Sequence, residues 1–291
     1  MLFVGSGFSQ GQGGPSWERL RDLAVSELTG HLAKSGRERV WEQLTDRVVR
    51  VTGAREFDSG DNRKKPEFAM WVIGEAFGGS RQLAGFFKRH LLPRPSLLHA
   101  ITVERVLKGD GVILTTEFDG LFEGAINGLC AKDGCVSEEI KSLTSRVAPT
   151  MAEPSRPVRV QKYCGKEVVM ELHGSIRDAN TLVCFPSQVV SWGNTEAAQR
   201  LIDLLSETRL AIFWGCGGKD RDIAELLGRI DASRRAFPRT LVVDLSEAES
   251  WALGDLRGIP LLKHLKFAAC GGLSAGETWQ LIDRFIEEEA L

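Results

Sequence analysis

The chain has 291 residues, of which 43% are hydrophobic and 26% charged, an ordinary balance for a folded globular protein. Its formal net charge of -2 argues against a nucleic-acid-binding surface. The sequence contains no apolar run as long as a membrane span, and Met1 leads directly into a first strand with no room for a signal peptide. We therefore expect a cytoplasmic protein with one large domain or two small ones.

The six cysteines do not form a C-x-x-C pair. Cys130 and Cys135 are separated by four residues, and no second close pair accompanies them. This spacing argues against a structural zinc ribbon, and we expect free thiols and no metal.

The beginning of the chain combines a strand, a glycine-rich turn and a helix. Residues 1–4 are apolar, glycines crowd positions 5–14, and Pro15-Ser-Trp17 opens a helix. This layout is typical of dinucleotide binding, because glycines let the backbone approach a pyrophosphate. Gly5 and Gly7 fit G-x-G-x-x-G but the third position is Gln10, which leaves a nucleotide loop and a merely tight turn both open. The apolar face of the helix is predicted at Leu20, Leu23, Ala24 and Leu28.

A helical lobe is predicted over residues 31–108. Apolar residues repeat there at helical spacing, and no segment has the pattern of a strand. The lobe could close a cleft over a sheet, or its helices could simply cover a sheet face.

The remaining chain alternates strands with helices. Buried-type strands are predicted at 111–116, 167–173, 209–215, 239–244 and 261–268, with a short helix near 137–146 and a closing helix at 276–290. The fold class is therefore α/β, a Rossmann-like open and mostly parallel sheet with an inserted helical lobe, in a single domain over residues 1–291. Glycines, hydroxyls, acids and a histidine follow five of the strands, which predicts one ligand crevice at their carboxyl ends.

Four segments, in order, resemble the sirtuin-like NAD-binding domains. They are Gly5-Ser-Gly-Phe-Ser9 with Gly14-Pro-Ser-Trp17, then Thr115-Thr-Glu-Phe-Asp119, then Leu172-His-Gly174, and finally Phe213-Trp-Gly-Cys-Gly-Gly-Lys-Asp220. The resemblance is closest to the bacterial branch found in anti-phage defence, which lacks the zinc ribbon and hydrolyses NAD. It implies an NAD hydrolase with NAD as substrate and no metal, and a homo-oligomer or a defence partner protein.

The resemblance also implies the catalytic residues His173, Glu117 and Asp119. His173 ends a strand and has a near-neutral pKa as a free side chain, which suits a base at the ribose hydroxyls. Asp119 is placed near the nicotinamide carboxamide, and Glu117 stands where the family has asparagine. Glu117 could stabilise positive charge at the ribose C1′ carbon, could leave a domain that only binds or senses NAD, or could point away. The other histidines, His31, His90, His99 and His264, are interpreted as structural.

The predicted nucleotide contacts come from the same motifs and strand ends. For several of them a structural role is an open alternative: a core position for Trp17, a helix cap for Asp220, a solvated strand end for Asp244 and turn stabilisation for Ser6 and Ser9. The predicted contacts are Gly5, Ser6, Gly7, Ser9, Trp17, Thr115, Thr116, Gly215, Cys216, Asp220 and Asp244.

Overall fold

The computed structural model describes residues 1–30, 34–52, 66–92, 94–134, 137–140, 159–164, 166–182, 196–216, 227–229, 238–244, 266–270 and 273–290. The strands are β1 (Leu2–Val4), β2 (Ile113–Thr115), β3 (Ser137–Ile140), β4 (Arg159–Tyr163), β5 (Lys166–Glu171), β6 (Leu210–Trp214), β7 (Arg239–Asp244) and β8 (Lys266–Ala269). The helices are α1 (Ser6–Gln10), α2 (Trp17–Thr29), α3 (Lys34–Thr52), α4 (Pro66–Phe77), α5 (Ser80–His90), α6 (Leu97–Lys108), α7 (Leu121–Asp133), α8 (Glu196–Glu207) and α9 (Ala275–Ala290).

These strands form one sheet in the order β3-β4-β5-β2-β1-β6-β7-β8. The run from β5 to β8 is parallel throughout, whereas β3 and β4 are antiparallel additions at one edge. The central strand β1 pairs with β2 on one side and β6 on the other, and its three side chains are buried. Apolar residues on both faces are typical of a parallel strand covered by helices. The predicted Rossmann-like, mostly parallel α/β sheet is confirmed.

The edge strands β3 and β4 differ from the prediction. The sequence predicted a short helix near 137–146, which is wrong for Ser137–Ile140 because these residues form a strand, whereas 141–146 lie outside the described residues. In the antiparallel register, Glu138 of β3 lies opposite Lys162 of β4. The local charge pattern is compatible with a helix, but pairing with a strand some 20 residues away decides the conformation.

Helix α2 begins where the sequence predicted. The Ser16 hydroxyl accepts a hydrogen bond from the Arg19 backbone N–H at 3.2 Å, a stabilising N-cap. Leu20 and Ala24 are buried as expected, whereas Leu28 remains 41% exposed, so the predicted apolar face is one turn too long.

Two hydrophobic clusters account for much of the core among the residues that the structure describes. One lies against the sheet and includes Phe8, Phe122 and Trp214, with α6, α7 and α9. The other joins α2, α4 and α5, and Phe118 from the segment after β2 packs into it. Helices α3 to α6 lie within the predicted lobe at 31–108, and the described residues of that span contain no strand. In the part of the chain that the structure describes, no helix is both long and apolar enough to cross a membrane.

Candidate active site

The five strands whose ends carry polar residues are consecutive neighbours in the sheet. They are β5, β2, β1, β6 and β7, and they run parallel, so their carboxyl ends meet at one edge. The sheet therefore brings together the predicted positions that follow these strands: Gly5, Thr116, His173, Gly215 and Asp244.

The glycines of the opening turn allow two loops to touch backbone to backbone. The Gly7 N–H donates to the Gly215 carbonyl at 2.9 Å, and the Gly5 N–H donates to the Trp214 carbonyl at 3.0 Å. A Cβ on Gly5 would lie 2.6 Å from the Cys216 Cα, and one on Gly215 would lie 2.3 Å from the Phe8 nitrogen. Gly215 also has φ = +68°, which favours glycine. These glycines are thus required by the contact between the two loops, and the phosphate contact stays a prediction.

Ser9 connects the glycine turn to the two acids after β2. Its Oγ lies 2.7 Å from the Glu117 Oε2 and 3.1 Å from the Asp119 Oδ2. A serine hydroxyl has one proton to donate, so both contacts are favourable together when the acid that does not receive it carries a proton of its own. This geometry suits a pair of carboxyl groups that together hold one proton and a single negative charge.

Burial supports this assignment of one proton to the pair. Glu117 is only 7% exposed, and burial followed by the neighbouring charge of Asp119 raises its pKa well above the usual range. Burial also raises the pKa of Asp119, to about 6, although hydrogen bonds from the Leu121 backbone N–H and the Ser9 hydroxyl act in the opposite direction. Two such acids favour a cationic ligand, because a positive charge stabilises their ionised forms.

The backbone around these acids is held by short local contacts. The Thr115 hydroxyl donates to the Val4 carbonyl at 3.1 Å and accepts from the Glu117 N–H at 3.0 Å. The Asp119 Oδ1 accepts from the Leu121 N–H at 3.0 Å, at the start of α7. These bonds tie the acids to β1, β2 and α7, and they give Thr115 a structural role.

His173 lies beside this segment at the end of β5. The Leu172 N–H donates to the Thr115 carbonyl at 2.7 Å, which ties the end of β5 to that of β2. The next residue, Gly174, has φ = +72°, and a Cβ there would lie 2.0 Å from the Thr181 carbonyl oxygen. The backbone therefore fixes the position of half-buried His173 from both sides.

A second histidine reaches the acids, and sequence reasoning missed it. His99 is 0% exposed, and one of its ring nitrogens lies within 4.8 Å of carboxylate oxygens of both Glu117 and Asp119. The Ser96 N–H donates to its Nδ1 at 3.2 Å, in a capping box at the start of α6. Burial lowers the pKa of His99 to about 4, so the ring is neutral near pH 7. The sequence signal was the Ser-x-x-His spacing before an apolar helix, which shows only that the ring can cap α6.

The ring orientation makes His99 a donor and a poor metal ligand. Because Nδ1 accepts the Ser96 N–H, the proton of the neutral ring is on Nε2. His99, Glu117 and Asp119 are the types of residue that bind metal ions, and their ligand atoms are close together. A metal ion on Nδ1 would displace the Ser96 contact, and one on Nε2 would need that proton to leave. The prediction of no metal therefore stays the better interpretation of this cluster.

The remaining predicted contacts lie in different settings. Trp17 packs its ring against Phe87 and Phe118, in the helical cluster. Ser6 is in α1, half-buried Cys216 follows Gly215, and Asp244 ends β7, whereas Asp220 lies outside the described residues. Among the described residues, four cysteines are present and none of them is in a disulfide bond: Cys130, Cys164, Cys216 and Cys270.

Comparison with known proteins gives a family for this chain. The family model described as the SIR2-like domain matches residues 111–257, half of the chain. Solved structures with a similar fold include Sir2Tm bound to a propionylated peptide, with 13% identity, a TM-score of 0.42, and coverage of 97% of this chain and 91% of that one. Another is a SIR2 in complex with the inhibitor EX-527, 2'-O-acetyl-ADP-ribose and a deacetylated p53 peptide, with 14% identity, a TM-score of 0.43, and coverage of 97% and 92%. No curated protein matches the chain.

An open α/β sheet with a polar crevice at its switch of strand order defines the class of Rossmann-like ligand-binding proteins. Within that class, the family model shows that the chain belongs to the SIR2-like family. It is a sirtuin-like NAD-binding domain, as its four ordered motifs predicted.

Proposed function

We propose that this protein is an NAD hydrolase that releases nicotinamide and ADP-ribose. The observation that carries the proposal is the pair of buried Glu117 and half-buried Asp119, bridged by Ser9 at the carboxyl ends of the central strands. Membership of the SIR2-like family supports NAD as the substrate. The nicotinamide ring of NAD is a cation, which matches the single negative charge of the pair.

The charge of the pair also suits the reaction. As the bond between C1′ and the ring nitrogen breaks, its electron pair neutralises the ring, and positive charge moves to the ribose C1′ carbon. A carboxylate beside C1′ stabilises this oxocarbenium-like charge, as carboxylates do in glycoside hydrolysis. Glu117 takes this role in our proposal, and Asp119 orients the nicotinamide carboxamide.

His173 acts at the ribose hydroxyls as a base or an orienting group in this proposal. Its support is its position at the end of β5, which the Leu172 backbone joins to the segment that carries Glu117. The loops around Gly5 and Gly215 hold the phosphates, and Asp244 accepts from the adenosine ribose.

The direct test is an NAD turnover assay on purified wild type, Glu117→Asn and His173→Ala in parallel. We expect the wild type to release nicotinamide and ADP-ribose, and His173→Ala to release far less. A wild type with no more turnover than His173→Ala, with and without candidate activators, would disprove the hydrolase proposal.

A second candidate is a module that binds NAD or ADP-ribose without cleaving it. The observation that favours it is the burial of Glu117, because a protonated side chain would supply hydrogen bonds but no charge for C1′. Nucleotide binding without turnover in the wild type, with turnover gained in Glu117→Asn, would support this module.

The resemblance extends the proposal to anti-phage defence in the cytoplasm. A homo-oligomer or a defence partner protein would then control the activity. Mass photometry of the protein, alone and with the products of neighbouring genes, tests this extension.

A further inference from the structure

The Nε2–H of His99 is a hydrogen-bond donor in the neighbourhood of the Glu117 and Asp119 carboxylates, but it does not contact them directly. Its buried Nε2 has no hydrogen-bond partner among the residues that the structure describes. A buried N–H without a partner is energetically costly, so such a group indicates an atom that binds there. Because Nδ1 is occupied by Ser96, Nε2 is the nitrogen available to a neighbour of the acid pair.

The spacing between His99 and the acids fits one bridging oxygen atom. The ring nitrogen and the carboxylate oxygens lie within 4.8 Å of one another. Two hydrogen bonds of about 2.8 Å that meet at a water oxygen span roughly 4.5–4.8 Å. This upper limit is compatible with one water molecule between the His99 ring and the Glu117 carboxylate, and Nε2 is the ring nitrogen without a partner among the described residues.

We propose that His99 is a further catalytic residue, which together with Glu117 holds the water molecule that attacks the ribose C1′ carbon. This inference rests on the proposed hydrolase function. The Nε2–H donates to the water oxygen and orients it, while one water O–H donates to Glu117, whose ionised form is stabilised by the cationic nicotinamide ring of bound NAD.

The reaction balances with these groups. The C1′–N bond breaks and its electron pair goes to the nicotinamide nitrogen. The water oxygen forms the new bond to C1′, and the water proton goes to Glu117 and then to solvent. NAD and water thus give ADP-ribose, neutral nicotinamide and one proton.

The variants are chosen to separate the donor from the packing of α6. His99→Gln keeps both functions, because the amide oxygen can accept the Ser96 N–H and the amide nitrogen can donate to water. His99→Leu removes both. Leu97→Ala is the matched control, because this exposed side chain also lies at the start of α6 and the change leaves the contacts between Ser96 and the imidazole in place.

The readout is the ratio of hydrolysis to base exchange, measured with labelled nicotinamide as the competing nucleophile. ADP-ribose formation reports attack by water, and label incorporation into NAD reports cleavage alone. ADP-ribose binding and thermal unfolding of each variant monitor the fold.

We expect His99→Leu to lower this ratio about tenfold, the effect of one lost oriented hydrogen bond, with exchange retained. His99→Gln should restore most of the ratio, and Leu97→Ala should leave it unchanged. An equal loss of hydrolysis and exchange in His99→Leu would overturn the role of His99 and leave the hydrolase function standing. Turnover that a chelator abolishes and Mn²⁺ restores would also overturn it, because a cation would then occupy this position. A wild type without either reaction would disprove the hydrolase function itself.

Discussion

His99 and His173 approach the same site but are held in opposite ways. His173 is half-buried at a strand end, and backbone contacts of its neighbours Leu172 and Gly174 fix its position. His99 is fully buried in a helix, and the Ser96 N–H fixes its ring orientation and tautomer. The buried ring of His99, with its pKa lowered to about 4, stays neutral and can donate only through Nε2, whereas the half-buried ring of His173 remains partly accessible to solvent. The comparison teaches that burial, and not residue type, assigns each ring its chemistry.

The largest expected effect is that of His173→Ala on turnover. Removal of a general base typically costs 10²–10⁴-fold in rate, so we expect NAD turnover to fall by at least about 100-fold. The change should leave ADP-ribose binding within about threefold, since the proposed phosphate contacts lie elsewhere in the site. The measurement is nicotinamide release under saturating NAD, with binding of ADP-ribose measured by calorimetry. If the variant retained turnover, His173 would have no role in the mechanism, and the proposed contrast between His173 and His99 would be wrong.

Gly174→Ala tests whether the backbone holds His173. The added Cβ would meet the Thr181 carbonyl at 2.0 Å in a left-handed conformation, so the loop must move. We expect a loss of about 2–3 kcal/mol in the free energy of unfolding, with reduced turnover. The matched control is Gly128→Ala in α7, where a Cβ meets nothing within 4 Å. In urea unfolding the control should match or slightly exceed wild-type stability. Equal stability of both variants would show that Gly174 is not a constraint.

Ser9→Ala tests the proton shared by the two acids. The Ser9 hydroxyl lowers the pKa of both Glu117 and Asp119, so its removal should raise both values. If an ionised acid is required, the acidic limb of the pH–turnover profile should move to higher pH, and turnover near pH 6 should fall about tenfold. Ser9→Gly, which also removes the hydroxyl, is the second variant and should show the same shift. An unchanged acidic limb would mean that neither acid titrates in the reaction.

The smallest expected effect is on the way the free energy of unfolding changes with pH. The lowered pKa of His99 means that the folded state favours the neutral ring, so its contribution is complete above pH 6.5 and is lost as the pH falls through about 4. The shift corresponds to about 3 kcal/mol at most. The contribution of Asp119 to stability depends on pH in the opposite direction, because its pKa is raised from 3.8 to about 6. That contribution is lost as the pH rises through about 6.

His99→Gln should remove the first contribution and leave the second. Urea unfolding between pH 4 and 8 should then show a stability that falls steadily with rising pH, where the wild type shows a flatter curve. Identical curves for the two proteins would mean that His99 does not titrate on unfolding.

The sequence by itself determined the sheet architecture and the family. Apolar strands followed by glycine, threonine or histidine mark the ends of β1, β2, β5 and β6, and local patterns of this kind survive in any packing. The order of the motifs predicted the SIR2-like family, which the family model confirms. It also placed Ser9, Glu117 and Asp119 in one crevice, where the structure brings them into hydrogen-bond contact.

Only the tertiary structure decided the rest, because those features depend on contacts between distant segments. The edge strand β3 exists through its pairing with β4, although its own residues do not specify a strand. Gly5 and Gly215 face each other across more than 200 residues, so their need for glycine is invisible in either loop alone. His99 looks like a helix residue in the sequence, and folding places its ring within 4.8 Å of the two acids. Burial then withdraws the ring from water, and this sets its protonation state and its proposed role.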